Sequence, residues 1–453
     1  MSRILKPEGI RGIAMSELSC ELMMHIGRAA AQALCRRKRA AAVFYVAYDA
    51  RRSAGALEAA LCAGICAGGG NVHRLGLLPA GAAAQLIAAE EADFGFVLTA
   101  GDLPYEYNGL RLCNEKGLPS DAEQLAAIES LMPASAALPA KSHRLCGVID
   151  FDIEAVQRWH DLMEQRFGRR EIGAVRIAVD CANGAASNVA GVFFFRQGVT
   201  ALVRSARPDG LNINRDCGTD ALAETVREQH CDAGFALDGA GSSCIAVDET
   251  GELLDEGRML AILCQARLDS AENGETPDIL EKGVAVTART NLGFLRYAEA
   301  KGIPVHRALS AEHSVLDLMR ERGLPLGAGG KGIICFAGQP AADGLTTAAE
   351  ILRIMRHTGR QLSALAAVAE AAPQVSVPVM IPPQWREIWR NDPEIAGYIT
   401  ECERALGENG RLLIREHPQK SMLTVTLEGS DFRHINTLAL TLAEQITKCT
   451  PVI

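Results

Sequence analysis

An acid, a proline and an Asn-Gly turn follow one another in L-T-A-G-D-L-P-Y-E-Y-N-G-L, the stretch from Leu98 to Leu110. An apolar run, Phe94–Leu98, leads into it. The stretch therefore reads as a loop at the mouth of a strand, where α/β proteins keep their reactive groups. Asp102 supplies a carboxylate there. Gly101, beside it, has no side chain and can carry no reaction. Thiols are the other reactive class. The 14 cysteines are scattered, and the closest pair, Cys62 and Cys66, lies four apart in an Ala-rich helical stretch. There is no C-x-x-C and no Cys/His cluster with zinc spacing, so small buried hydrophobes in a reducing cytosol are expected.

The elements that must position the loop alternate in type. Ala41–Ala47 is a short buried-strand candidate. Ser53 is placed to cap the helix after it, which stops at Gly68-Gly69-Gly70. Asn71–Leu75 and Asp93–Leu98 are further strands. This βαβ rhythm implies a mostly parallel sheet. It recurs at Val175–Val203, where Asn183-Gly184 precedes a helix, and again at Val284–His306, with a helix around Leu292–Lys301. The tail differs: strand Val375–Ile381, helix Pro393–Leu406, strands Arg411–Arg415 and Met422–Leu427, and helix Ile435–Thr447. That is an α+β pattern, with Ala372-Pro373 as the joint.

A chain of 453 residues is too long for one core, so three or four domains are expected. Apolar residues make up 48% and charged residues 22%, an ordinary globular mixture. The net charge of −9 and the absence of a Lys/Arg block argue against nucleic acid or an anionic membrane as partner. Met1–Pro7 lacks a signal-like apolar region, and no stretch could span a bilayer, so a cytoplasmic location is expected.

Collinear motifs then bring a resemblance. G-I-R-G (Gly9–Gly12), D-A-R-R-S (Asp49–Ser53), T-A-x-x-x-P-x-E-Y-N-G (Thr99–Gly109) and V-D-C-A-N-G-A (Val179–Ala185) come first. P-D-G-L-N-I-N-R-D-C-G (Pro208–Gly218), C-I-A-V-D-E-T-G-E-L-L-D (Cys244–Asp255), T-N-L-G (Thr290–Gly293) and D-G-L-T-T-A (Asp343–Ala348) follow. Together they resemble the α-D-phosphohexomutases over almost the whole length, and the N-I-N…C-G string is closest to the bacterial phosphoglucosamine mutase branch. The resemblance implies three tandem α/β domains with mixed sheets and a C-terminal α+β domain, around a central cleft. The expected divisions are 1–145, 146–250, 251–371 and 372–453, each giving one loop to the site.

In that family the four loops are T-A-S-H-N-P, whose serine carries a phosphoryl group; D-G-D-G-D-R, whose aspartates hold Mg²⁺; G-E-x-S-G-H, which grips sugar hydroxyls; and R-P-S-G-T-E, which binds the substrate phosphate. Phosphoryl transfer needs the oxygen nucleophile as reservoir, a hard cation on carboxylates, and donors for the distal phosphate. Set on this pattern, Gly101 stands at the phosphoserine position and Asp102 at the neighbouring histidine, while Arg11 is retained. The metal loop becomes Asp238-Gly239-Ala240-Gly241-Ser242-Ser243, so Asp238 is kept and Ala240 and Ser242 replace ligands. The sugar loop becomes 327–333, with Lys331 for the serine. The phosphate loop becomes Arg415-Glu416-His417-Pro418-Gln419-Lys420, in which Glu416 adds a repelling charge.

The losses fall in all four loops. The resemblance therefore implies a mutase-like chain without mutase catalysis, in a regulatory, sensor or partner role in amino-sugar and cell-wall precursor metabolism. The alternative is a phosphohexomutase with residual or altered phosphosugar activity. No cofactor is expected, with Mg²⁺ entering only under that alternative. Asp102 is either a replacement nucleophile, through an acyl phosphate, or a solvated loop acid. Asp238 either holds a weak cation or shapes a turn. Lys331, Arg415, His417 and Lys420 either form an anion site or are unrelated surface cations. A weakly bound sugar phosphate or small anion, a homodimer and a complex with an active mutase are the expected partners.

Overall fold

The computed structural model describes residues 4–35, 41–90, 92–132, 141–215, 217–270, 277–309, 312–386, 388–416 and 421–450. The chain divides into two compact units, 1–289 with 303–368, and 290–302 with 369–453.

The first unit holds three mixed sheets. The first contains β1 (Ile10–Ile13), β2 (Val43–Tyr48), β3 (Asn71–Leu77), β4 (Phe94–Leu98), β5 (Tyr107–Asn114) and β6 (Ile149–Phe151), in the order β1-β5-β4-β2-β3-β6. Strands β4, β2, β3 and β6 run parallel, whereas β5 is antiparallel to both neighbours. Helices α1 (Cys20–Cys35), α2 (Ala54–Gly68) and α3 (Ala80–Ala89) supply the crossovers, and α4 (Ala122–Leu131) follows β5. The core of this sheet is built on the rings of Phe44, Phe94 and Phe96, all fully buried. The strand β6 lies beyond the expected division at 145 and still extends the first sheet, because its backbone pairs with β3.

After α5 (Ala155–Phe167) the second sheet gathers β7 (Arg176–Asp180), β8 (Thr200–Arg204), β9 (Ala233–Leu237), β10 (Cys244–Asp248) and β11 (Leu253–Leu254), with α6 (Ala190–Arg196) and α7 (Thr219–Glu228) between strands. The expected helix after Asn183-Gly184 begins as a short 3₁₀ turn, Ala185–Asn188, before α6. Helices α8 (Glu256–Asp269) and α9 (Asp278–Lys282) lead to the third sheet. There β12 (Val284–Val286) lies between β13 (Val305–Arg307) and β14 (Leu326–Gly330), parallel to both, and β15 (Ile333–Phe336) closes the order β13-β12-β14-β15. The helices α11 (Glu312–Arg322), α12 (Gly344–Thr358) and α13 (Leu362–Ala366) belong to this unit.

The second unit is an antiparallel sheet, β16 (Gln374–Met380), β18 (Met422–Glu428) and β17 (Arg411–Glu416), packed with α14 (Pro393–Leu406) and α15 (Phe432–Cys449). The helix α10 (Leu292–Ala300) forms as expected but groups with this unit. The T-N-L-G motif explains why. Asn291 exchanges hydrogen bonds with Ala372, donating to its carbonyl at 3.1 Å and accepting from its N–H at 2.8 Å. Glu428 accepts from the Leu292 N–H at 3.1 Å. Among the described residues, no helix is long and apolar enough to cross a membrane.

Candidate functional site

The loop from Thr99 to Gly109 is organised by one buried side chain, Arg51. It sits just past β2, where D-A-R-R-S begins α2. The Arg51 Nε donates to Asp49 Oδ2 at 2.9 Å, and both side chains are at most 1% exposed. The rest of the guanidinium donates to the carbonyls of Gly101 (3.1 Å), Leu103 (2.8 Å), Tyr107 (2.8 Å) and Pro104. A planar fork with five N–H donors is suited to gathering such convergent acceptors. Thr99 Oγ1 donates to Asp49 Oδ2 at 2.7 Å and accepts from the Gly101 N–H at 3.1 Å. Burial pushes the Asp49 carboxyl up against the pull of Arg51 and Thr99. Ser53, expected to cap α2, makes no capping bond. Its hydroxyl instead accepts from Asn108 Nδ2 at 2.9 Å, which ties the Asn-Gly turn to the start of the helix.

A second side chain joins this loop to the next. Asn214 Nδ2 donates to the carbonyls of Gly101 (2.8 Å) and Leu103 (2.9 Å), while its Oδ1 accepts from the Gly239 N–H at 2.8 Å. Gly239 opens the turn after β9 that carries Asp238. Asp238 Oδ1 accepts from the N–H groups of Ser242 (2.7 Å) and Ser243 (3.1 Å), so the carboxylate shapes its own turn. Burial raises the Asp238 carboxyl against those two N–H groups and Arg111. Ala240 and Ser242 are buried, and the Ser242 hydroxyl has no hydrogen-bond partner.

Gly101 lies where these parts converge. Its φ of +64° is a left-handed conformation that glycine adopts without penalty. A Cβ built on it would stand 3.5 Å from Arg11 Nη2 and 3.6 Å from Asp238 Oδ2. Two ion pairs flank the point. Lys331 Nζ meets Asp102 Oδ2 at 2.6 Å, and Arg111 Nη1 meets Glu312 Oε2 at 3.1 Å. Lys331 stands at φ +57° between Gly330 and Gly332, both also at positive φ. Burial opposes ionisation of Asp102, but the hydrogen bond and charge of Lys331 outweigh it and hold the carboxyl below its ordinary range. The positive charges of Arg11, Arg111 and Lys331 face the carboxyl groups of Asp102, Asp238 and Glu312. Lys331, expected as an anion ligand, therefore has its charge engaged by Asp102.

Comparison with known proteins places this geometry. The phosphoglucomutase/phosphomannomutase family matches twice, through its alpha/beta/alpha domain I over residues 2–138 and its alpha/beta/alpha domain III over residues 256–371. A phosphoglucosamine mutase from Acetivibrio thermocellus is 32% identical over 451 residues, spanning 98% of this chain and 99% of the relative. The chain belongs to the phosphohexomutase family. Among solved structures, a phosphoglucomutase/phosphomannomutase family protein from Burkholderia thailandensis superposes with a TM-score of 0.77 at 19% identity, over 100% of this chain and 99% of that one. An N-acetylphosphoglucosamine mutase from Aspergillus fumigatus, solved with GlcNAc-6P and magnesium, gives a TM-score of 0.66 at 15% identity, over 98% and 96% of the two chains.

Within this phosphohexomutase chain, Arg415 lies on β17 in the second unit, whereas Lys331 lies in the first. His417 and Lys420 fall outside the described residues. Glu416, expected to repel an anion, is engaged otherwise: its Oε1 accepts from Trp389 Nε1 at 3.0 Å and meets Arg390 at 3.2 Å. Sequence reasoning missed four members of the first-unit site. Arg51 and Asn214 sat inside quoted motifs, D-A-R-R-S and N-I-N, but without a role. The pairing of Arg111 with Glu312 carried no signal, because it joins residues 201 positions apart.

Proposed function

We propose that this chain is a phosphoglucosamine-mutase-like protein that does not transfer phosphoryl groups, and that it serves as a sensor or regulatory partner in amino-sugar metabolism. The observation that carries this reading is Gly101. At the point faced by Arg11 and Asp238 there is no side-chain oxygen to hold a phosphoryl group. The phosphoglucosamine mutase relatives supply the ligand class, a phosphosugar.

The donor set does not fit Mg²⁺. That ion favours several oxygen ligands, whereas here Asp238 has its Oδ1 on two backbone N–H groups with Arg11 close by, and the neighbouring Asp102 and Glu312 are paired with Lys331 and Arg111. Among the described residues no group of three or more His, Cys, Asp or Glu could hold a metal ion. What the side chains do is structural: Arg51 and Asn214 hold the 99–109 loop, and Lys331 closes over Asp102. With the charges paired internally, any phosphosugar binds weakly, with dissociation constants of about 0.1–1 mM. A homodimer or a complex with an active mutase is then the working surface.

The experiment is an assay of the purified chain for interconversion of glucosamine 6-phosphate and glucosamine 1-phosphate, with Mg²⁺ and a sugar bisphosphate present. No turnover is expected. A rate in the ordinary enzymic range, about 1–10³ per second, that survives removal of host mutase overturns the proposal.

A further inference from the structure

A cluster of thiols lies away from the site, at the C-terminal end of α2. Cys66 is in its last turn and 6% exposed. The chain leading into β6 passes directly over it. The Gly147 N–H donates to the Cys66 carbonyl at 3.0 Å, an acceptor shared with the Gly69 N–H, also at 3.0 Å. The approach is close enough that a Cβ on Gly147 would stand 3.2 Å from Cys66 Cα and 1.7 Å from the Gly70 carbonyl oxygen. Only glycine fits there, and it brings its neighbour Cys146 onto the same turn. Cys146 is exposed, and neither it nor Cys66 is in a disulfide. The Gly147–Cys66 hydrogen bond brings the segment carrying Cys146 against the turn carrying Cys66, close enough for the Cys146 thiol to act on the Cys66 thiol, and a bridge requires the two Cα atoms to come within about 4.4–6.8 Å.

We propose that Cys66 and Cys146 form a thiol–disulfide exchange site, with Cys146 as the entry thiol and Cys66 as the resolving thiol, whose co-substrate is a low-molecular-weight disulfide of the glutathione class. The Cys146 thiolate attacks one sulfur of the small disulfide, and the first small thiolate leaves. Cys66 gives up its proton to solvent and attacks Cys146 Sγ, and the second small thiolate leaves. Two protein thiols are oxidised to one bridge, and one small disulfide is reduced to two small thiols.

The order of attack follows from the surroundings. Burial, with the neighbouring Cys146 thiol adding to it, pushes the Cys66 thiol up to about 11, so it is a poor first nucleophile. As second nucleophile it acts on a disulfide already delivered to it. The bridge would pin the chain before β6 to α2. The Val72 N–H already donates to the Val148 carbonyl at 2.8 Å there, and β6 is the edge strand. Reduction would release that edge. Cys35 is the competing partner, since its thiol donates to the Gly69 carbonyl at 3.6 Å.

The test treats the full chain with oxidised glutathione, followed by non-reducing peptide mapping by mass spectrometry and reversal with dithiothreitol. The expected product is a Cys66–Cys146 peptide pair. Cys66→Ala should stop at glutathionylated Cys146, and Cys146→Ser should leave Cys66 unmodified. Amides of Val148–Phe151 should exchange more slowly in the bridged form. A Cys35–Cys146 bridge, a wild-type product that halts at glutathionylated Cys146, or no reaction overturns the proposal. If Cys66→Ala fails to fold, the wild-type and Cys146→Ser arms decide alone. None of these readouts depends on whether the chain has mutase activity.

Discussion

Replacing Arg51 by lysine tests how the 99–109 loop keeps its shape without a reagent. The arginine serves Asp49 and four backbone carbonyls from a fully buried position. Lysine keeps the charge but brings three donors on a single nitrogen, so it cannot reach acceptors spread from Gly101 to Tyr107. The carbonyls of Gly101 and Leu103 keep Asn214 Nδ2 as donor and that of Pro104 keeps the Tyr107 N–H, so the Tyr107 carbonyl is the one that loses its side-chain donor. An unsatisfied buried acceptor costs about 1–3 kcal/mol, so the loss is about 2 kcal/mol. Removing one partner of a buried pair entirely costs about 3–5 kcal/mol, which sets Arg51→Ala higher. Because the chain has two units, a single unfolding free energy is not the right readout. Amide hydrogen exchange at Gly101 and Gly109 is, since about 2 kcal/mol corresponds to exchange roughly thirtyfold faster through local opening. Arg52→Lys, at an exposed position beside it, is the control and should leave those amides unchanged. If Arg51→Lys exchanges like wild type, the loop is held by something other than this fork.

Gly101→Ser should fold, because its Cβ meets ordinary contacts at 3.5 and 3.6 Å, at a cost of about 1–2 kcal/mol for the left-handed backbone. It should show neither turnover nor a phosphoryl adduct by intact mass, since the electrostatic parts of the reaction are missing. His160 is buried with neither ring nitrogen hydrogen-bonded, and burial, aided by Arg196, lowers its pKa to about 4. The unfolded chain protonates near pH 6.5 while the native one does not, so stability falls as pH drops from about 6.5 toward 4, by about 1.4 kcal/mol per unit. His160→Leu should flatten that dependence in the urea transition of the first unit at pH 7.5 and 5, and an unchanged slope would refute the assignment.

Much of the fold was legible because buried strands announce themselves. Phe94–Leu98 reads as a strand from its apolar run alone, and the βαβ rhythm fixes its parallel neighbours. The α14 span, Pro393–Leu406, was readable from Pro at its first position, with Asp392 as cap. The edges were harder. Leu253–Leu254 and Ile149–Phe151 are strands because a neighbour accepts them, and that is a long-range fact. Ser53 misled for a related reason: a hydroxyl at a capping position was claimed by Asn108, 55 residues away. In the site, the positions that converge on Gly101 were legible only through the family resemblance, and the ion pairs were not legible at all. Lys331 and Asp102 are ordinary surface residues in the sequence. Only folding makes them partners.

The same geometry gives a physical reason why Asp238 stands where Ala240 and Ser242 do not keep a carboxylate. On the proposed reading, a ligand to a lost metal is free to change only if nothing else in the chain depends on it. Asp238 fails that condition. Its Oδ1 takes two backbone N–H groups that would otherwise go unpaired, and each such loss costs about 1–3 kcal/mol. The other two positions meet the condition. Ala240 fills a buried space with no polar atom on its side chain, and the Ser242 hydroxyl makes no hydrogen bond at all. A carboxylate at either position, without a cation, would be a buried charge needing a partner. Loss of the metal therefore favours replacing those two and retaining the first. Gly101 follows the same logic in reverse: the left-handed backbone that strains a serine costs glycine nothing, so once no phosphoryl group is carried, stability alone selects glycine.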